Sequence, residues 1–396
     1  MLDFDTALAR LLAAARSPSR SESVALAAAD GRVLAADVIA PLAVPGFDNS
    51  AMDGYAFHVA DFTAAPATFP VVARIAAGDD PQPLPPGCAA RIFTGAPIPT
   101  GCNAVEMQEN CELQGDTLQI ARPLRAGQHI RRAGEDIAQG AIVLARGERL
   151  DPAALALLAS IGIAEVSVYA PLKVALINTG DELVEPGQPL AAGQIYNSNR
   201  YALTGLLQRL GCELTVAGLV ADDFGRTRDE LARLAASHDV VISTGGVSVG
   251  EEDHVKAAVQ ALGELNVWKI AIKPGKPFAY GNIADADFIG LPGNPVSAFV
   301  TFLLLVRPFL LARSGAGKIA PQAWQLPAGF AWTKAGDRRE FLRVKLGDDG
   351  RLVLYPNQGS GVMTSLAWAD GLVDLPAGQT IAENAPVRFL PLSGLL

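Results

Sequence analysis

Four cysteines and four histidines in 396 residues leave little material for thiol or soft-metal chemistry. Cys88, Cys102, Cys111 and Cys212 form no Cys-x-x-Cys pair and show no metal-ligand spacing with His58, His129, His238 and His254. Zinc catalysis and a nucleophilic triad therefore rank low. Reduced thiols in a cytoplasmic protein are the expectation, with a Cys88–Cys102 bridge as the alternative. Basic residues are also in deficit: 32 Lys and Arg against 41 Asp and Glu leave a formal charge of −9. That balance argues against a general nucleic-acid surface, and any anionic ligand needs basic residues or a metal to reverse the field locally. No apolar run is long. The longest, Val296 to Val306, is too short to span a bilayer and meets Arg307-Pro308, so a buried helix is expected and a membrane span is not. The first residues, MLDFDTALARLL, carry acids where an export signal carries bases, and no such signal is expected.

Half of the chain is hydrophobic, enough for two to four compact domains. Apolar periodicity divides it in three. Residues 1–170 read as a helical region, with helices over Thr6 to Ala15 and Pro152 to Ser160, interrupted at about 47–136 by an inserted subdomain rich in Pro, Gly and short β-like runs. Residues 171–318 alternate strands and helices. Strands are expected at Lys173–Ile177, Glu213–Val220, Val240–Ile242, Asn266–Ile272 and Phe288–Ile289, with Ile272 to Gly281 read as a turn-rich segment. This is a βαβ series, hence a three-layer domain around a mostly parallel sheet. Residues 319–396 show short strands only, which predicts a small C-terminal β-barrel. The fold class is thus a multidomain α/β protein.

The most informative stretch is TGGVSVGEED, Thr244 to Asp253, between the apolar run at Val240 and a helical pattern. Gly245, Gly246 and Gly250, with Thr244 and Ser248 in the same loop, allow close backbone approach at the carboxyl end of a strand, where open α/β sheets bind ligands. A helix start beyond such a loop favours an anion. Glu182, Asp222 and Asp253 each follow a predicted strand of this sheet. One such acid alone reads as a helix cap; three at one edge suit Mg²⁺ shared with a substrate phosphate. Lys273 and Lys276 flank Pro274-Gly275 and can clamp an oxyanion from a stiff turn, although lysines in turns are commonly just solvated. Pro292 and Pro295 in LPGNP shape a strand-to-helix turn that Asn294 can cap. The loops PGFDNSAMDGYA, TGAPIPTGCNAVEMQE and RRAGEDI are dense in polar groups that ordinary turn chemistry largely explains.

In order over nearly the whole chain, PGFDNSAMDGYA, the TGAP-to-VEMQE segment, RRAGEDI, TGDEL, GQIYNSNR, TGGVSVGEED, IKPGKPFAYG and LPGNPVSA resemble the signatures of the molybdenum insertase family, molybdopterin molybdenumtransferase, which includes bacterial MoeA and the C-terminal domain of gephyrin. The resemblance implies an enzyme of molybdenum cofactor biosynthesis that takes adenylated molybdopterin and molybdate, cleaves the adenylate with Mg²⁺ and releases AMP. It implies a homodimer of four-subdomain protomers, with the cleft between the α/β domain of one and the N-terminal region of the other. Molybdopterin adenylyltransferase and molybdoenzyme maturation proteins would be its partners. Matched residue by residue, the functional acids are Asp53, Asp136, Glu182, Asp222 and Asp253, with Thr94 in the TGAP loop. Lys269, Lys273 and Lys276 match basic positions near substrate, Pro292 and Pro295 the pocket turn, and Arg343 and Ser360 positions in the C-terminal domain. Asn197 departs from the pattern, standing where many relatives have Asp. Competing readings are molybdopterin adenylyltransferase or a nicotinamide-nucleotide amidohydrolase, which would share the central domain alone, and a non-catalytic cofactor-binding scaffold.

Overall fold

The computed structural model describes residues 1–63, 66–220, 223–246 and 254–395. Its centre is a six-stranded sheet in the order Glu213–Val220, Lys173–Thr179, Val240–Thr244, Ala286–Leu291, Pro277–Ile283, Gly263–Lys269. The first four strands are parallel; the last two join antiparallel. The short links explain the change. Only Ala284 and Asp285 separate Pro277–Ile283 from Ala286–Leu291, a connection that permits a hairpin and not a parallel crossover. The segment expected to be turn-rich from Ile272 to Gly281 is therefore a two-residue strand at Ile272–Lys273, a turn up to Lys276 and strand from Pro277 onward.

Alternation along Lys173–Thr179 builds the three layers. Val174 and Leu176 point into one core with Leu203, Leu207 and Phe302, while Ala175 and Ile177 point into another with Leu231, Leu234, Val255 and Val259. Helices Ser198–Arg209 and Phe224–Ala235 thus cover opposite faces. The helix at the apolar run does not stop at Arg307-Pro308. It runs from Pro295 to Arg313, and residues Phe302–Val306 form a π-helical turn immediately before Pro308. A wider turn accommodates a proline, which lacks the N–H that an α-helical ladder requires. By length and apolar composition this helix is fit to cross a membrane, yet 78% of its apolar window is buried inside the protein, as a core helix would be.

The two predicted N-terminal helices do not share a layer. Phe4–Ala14 buries Phe4, Ala7 and Leu11 in the core of the α/β domain, and Leu2 bridges to Ile270. Pro152–Ser160, capped by Asp151, packs instead beside the strand pair Ser21–Ala25 and Glu165–Tyr169. Between them lies a six-stranded sheet from Gly54 to Ile120 with its own buried clusters around Phe57 and Ile92. The C-terminal strands Trp324–Pro327, Arg339–Leu346, Leu352–Leu354, Gly371–Leu375 and Pro386–Pro391 pair antiparallel, and a bridge from Ala328 to Leu352 joins the two ends of their order into a barrel. Two features depart from a strands-only reading. A helix spans Met363–Trp368, and Ile272–Lys273 of the central domain adds to the barrel in parallel with Arg339 and Glu340.

Candidate active site

A cleft of about 410 Å³ opens at the carboxyl ends of the parallel strands, with Thr179, Glu182, Thr244, Gly245 and Gly246 on one side and Pro292, Pro295 and Ser297 on the other. Its floor is polar and fixed. Asn178, 1% exposed, donates from Nδ2 to the Thr244 hydroxyl at 2.5 Å. Gly246 has φ +65°, and a Cβ there would lie 2.4 Å from Val255 Cγ2, so the loop comes close to the following helix only because no side chain intervenes. On the opposite wall the helix beginning at Pro295 turns its N-terminal end toward the cleft, a direction that favours an anion. Asn294 occupies the cap position without making a side-chain cap bond; the Ser360 carbonyl instead accepts from Val296 N–H at 3.0 Å. Ser360 thus meets the cleft through the backbone of its turn.

Arg343 holds that turn in place. It is 1% exposed, and its guanidinium donates to Ser365 Oγ and to the carbonyls of Phe341 and Gly359. Burial pushes its pKa down to about 10. In this conformation Arg343 acts on the cleft through the Gly359–Ser360 turn, not by reaching into it. The three lysines separate in a similar way. Lys269 and Lys276 are exposed on either side of Pro277, which lines the cleft and pairs with Lys269 across the hairpin. Lys273 Nζ lies 3.0 Å from Glu340 Oε2. Asn197 caps the helix Ser198–Arg209, accepting from Arg200 N–H, and donates to Glu185 at 3.3 Å. An aspartate would cap equally well but has no proton to give Glu185, so the departure from the family pattern has a local physical basis.

The N-terminal residues gather elsewhere. Asp53, exposed on the turn before strand Gly54–Phe57, accepts from Thr94 N–H at 2.7 Å and from Thr94 Oγ at 2.8 Å. The Thr94 backbone N–H first, then its hydroxyl and the charge of Arg91, hold the Asp53 carboxyl below the ordinary range. Asp48 is held low by the Ala133 N–H and by Arg132 of the RRAGEDI loop. Asp136, exposed, follows in that loop and donates its own N–H to Val44. These groups lie on loops of the N-terminal region, whereas every described residue lining the cleft comes from the span 179–297.

Asp222, Ser248, Gly250 and Asp253 lie outside the described residues. Among the described residues no trio of His, Cys, Asp and Glu is placed to hold a metal ion, and Glu182 is the one carboxylate in the cleft lining. A single carboxylate is compatible with a hard cation that keeps its waters and shares a substrate phosphate. All four cysteines are free, and burial pushes the thiols of Cys102, Cys111 and Cys212 up to about 12, far from a reactive thiolate. Sequence reasoning passed over Asn178, Asn199 and Glu340. Asn199, in the first turn of the helix Ser198–Arg209, donates to the Gly293 carbonyl at 2.7 Å. Asn199 stood inside the GQIYNSNR segment and Asn178 directly precedes TGDEL, while nothing local marks Glu340.

Comparison with known proteins covers each part of the chain. Residues 2–162 match the family described as MoeA N-terminal region (domain I and II), residues 175–312 the probable molybdopterin binding domain, and residues 325–392 the MoeA C-terminal region (domain IV). The molybdopterin molybdenumtransferase of Haemophilus influenzae is 45% identical over 84% of this chain and 81% of its own length. That of Synechococcus elongatus is 38% identical over 99% of this chain and the whole of its own. A crystal structure of the molybdopterin biosynthesis moeA protein from Pyrococcus horikoshii superposes with a TM-score of 0.88 at 30% identity, covering 99% of this chain and 100% of the other.

Proposed function

Because the chain belongs to the molybdopterin molybdenumtransferase family and works in molybdenum cofactor biosynthesis as a transferase that inserts molybdenum, we propose that it takes adenylated molybdopterin and molybdate in the cytoplasm and releases AMP from a cleft completed by a second copy of the chain. The observation that carries this reading is the division of polar machinery: the cleft at Thr244–Gly246 and Pro295 is built to receive an anion, while the acids Asp53 and Asp48, held in their charged form, sit on loops of the N-terminal region. In an elongated C2 dimer, the N-terminal loops of one protomer would cover the cleft of the other.

Within that site the residues take distinct tasks. The Thr244 hydroxyl, fixed by Asn178, and the helix start at Pro295 bind and orient the phosphate end of the substrate. Lys269 and Lys276, exposed beside Pro277, raise the local potential for an anion that the net charge of −9 would otherwise repel. Lys273 adds a third ammonium, and Pro292 and Pro295 keep the wall rigid. Arg343 and Ser360 hold the rim. Glu182, Asp222 and Asp253 would hold Mg²⁺, which when bound offsets their charge and that of the phosphate during cleavage. Asp53, set by Thr94, and Asp136 would face molybdate and the dithiolene from the partner's loops.

Single-turnover AMP release and thermal melting of Asp253→Asn test the acids. The expected result is a fold and dimer unchanged in stability with release slowed on the order of a hundredfold or more, partly restored by high Mg²⁺. A residue that merely caps the following helix would give the reverse, a lower melting temperature with unchanged release. That outcome would remove the cation from the proposal.

A further inference from the structure

We propose that Glu340 is a positioning residue that sets how tightly the cleft holds an anion, acting through Lys273; the inference rests on the reading that Lys273 faces the anionic substrate. Glu340 belongs to the C-terminal barrel, 67 residues along the chain, yet its carboxylate lies 3.0 Å from Lys273 Nζ. The pair is asymmetric. The Glu340 side chain is 7% exposed and that of Lys273 is 42% exposed, so the carboxylate is buried behind the lysine and the ammonium keeps an open side. An ammonium has three donors, and one is spent on Glu340.

The geometry is not left to chance. Ile272–Lys273 pairs in register with Arg339–Glu340, and Arg339 N–H donates to the Ala271 carbonyl at 2.9 Å. Arg339 itself is anchored by Asp374 at 2.6 Å and Asp5 at 2.9 Å, with its guanidinium 4.7 Å from the Phe4 ring. On the other side of the turn, Gly275 has φ +111°, and a Cβ there would lie 2.2 Å from Thr301 Oγ1, so the turn is pressed onto the helix that forms the cleft wall. Barrel, first helix and cleft wall thus converge on one lysine. A carboxylate so placed does two things: it aims the ammonium, and it repels any anion on the lysine's open side. The second effect weakens the hold on the phosphate-bearing product and lets it leave.

Calorimetric titration of the intact protein with AMP separates this role from a structural one. Glu340→Gln keeps the shape and an acceptor for Lys273 while removing the charge, so AMP should bind about fivefold more tightly, and AMP release after a single turnover should slow by a similar factor. Glu340→Asp, which retains the charge, should bind no more tightly than the unsubstituted protein. Lys273→Met should weaken binding, and adding Glu340→Gln to it should change nothing further. Unchanged or weaker binding by Glu340→Gln, with Lys273→Met still weakened, would overturn the inference and leave Lys273 in the site. Tightening by Glu340→Asp equal to that of Glu340→Gln would assign the effect to loosened packing and overturn it as well. Unchanged binding by Lys273→Met would take the lysine out of the ligand site and the inference with it.

Discussion

The two polar regions of the molecule are built on opposite principles. At the α/β cleft, function sits on buried structure: Asn178 and Thr244 are nearly inaccessible strand-end residues, and Gly246 just beyond Thr244 lies close against Val255 of the next helix. Beside the inserted sheet, Asp53 and Thr94 are exposed turn residues whose arrangement depends on two local hydrogen bonds. The cleft offers a helix start and nearby lysines to an anion, whereas the N-terminal loops present carboxylates such as Asp53. The contrast is the ground for proposing that a second chain joins the two halves.

Substitution at comparable glycines should break the symmetry most sharply. Gly246→Ala meets both a positive φ and Val255, and is expected to cost about 2–4 kcal/mol and abolish turnover. Gly134→Ala in the RRAGEDI loop meets a positive φ with its nearest neighbour, Ala43 Cβ, 3.6 Å away, and should cost about 1 kcal/mol. Denaturant melts of the two variants measure the difference, and equal costs would contradict the contrast between a packed cleft and an open loop.

A smaller effect is expected from Thr94→Val. The Asp53 carboxyl is depressed, so its charge persists below the ordinary carboxylate range and is lost only as pH falls through the lowered folded value. Valine removes the hydroxyl donor and keeps the backbone N–H, the larger cause, so Asp53 should rise part of the way toward its usual value. The acid limb of activity should move up in pH with it. NMR titration of the Asp53 carboxyl checks this, and an unmoved value would mean that Thr94 Oγ does not set it.

Much of this was legible along the chain, because strands and helices of a buried α/β sheet announce themselves by period and by what ends them. Glu213–Val220 and Pro152–Ser160 fall where their patterns place them, and Gly211, at φ +77°, stops the helix before it as a C-terminal glycine should. The misses share a cause, which is contact between distant segments. Lys-Pro-Gly-Lys-Pro reads as turn, and only pairing with Gly263–Lys269 and Ala286–Leu291 makes Pro277–Ile283 a strand. The first helix looks like a partner for Pro152–Ser160 and docks on the α/β core because Leu2 is bonded beside Ile270. Arg343 carries a charge that suggests a ligand, yet its donors are consumed by the Gly359 carbonyl and the Ser365 hydroxyl brought to it by a later segment, and by the Phe341 carbonyl of its own strand. The Lys273–Glu340 pair had no local trace at all.

The central claim is that one working site needs the cleft of one protomer and the acidic loops of the other, and mixed dimers test it most directly. Asp53→Asn damages the loop half and Glu182→Gln the cleft half, and each variant alone should be inactive in molybdenum insertion. When the two are unfolded, mixed in equal amounts and refolded together, roughly half of the dimers carry one of each chain, and in those one site is wholly intact. The account predicts recovery of about a quarter of the unsubstituted activity. Mixed dimers verified by mass spectrometry that recover none would contradict it.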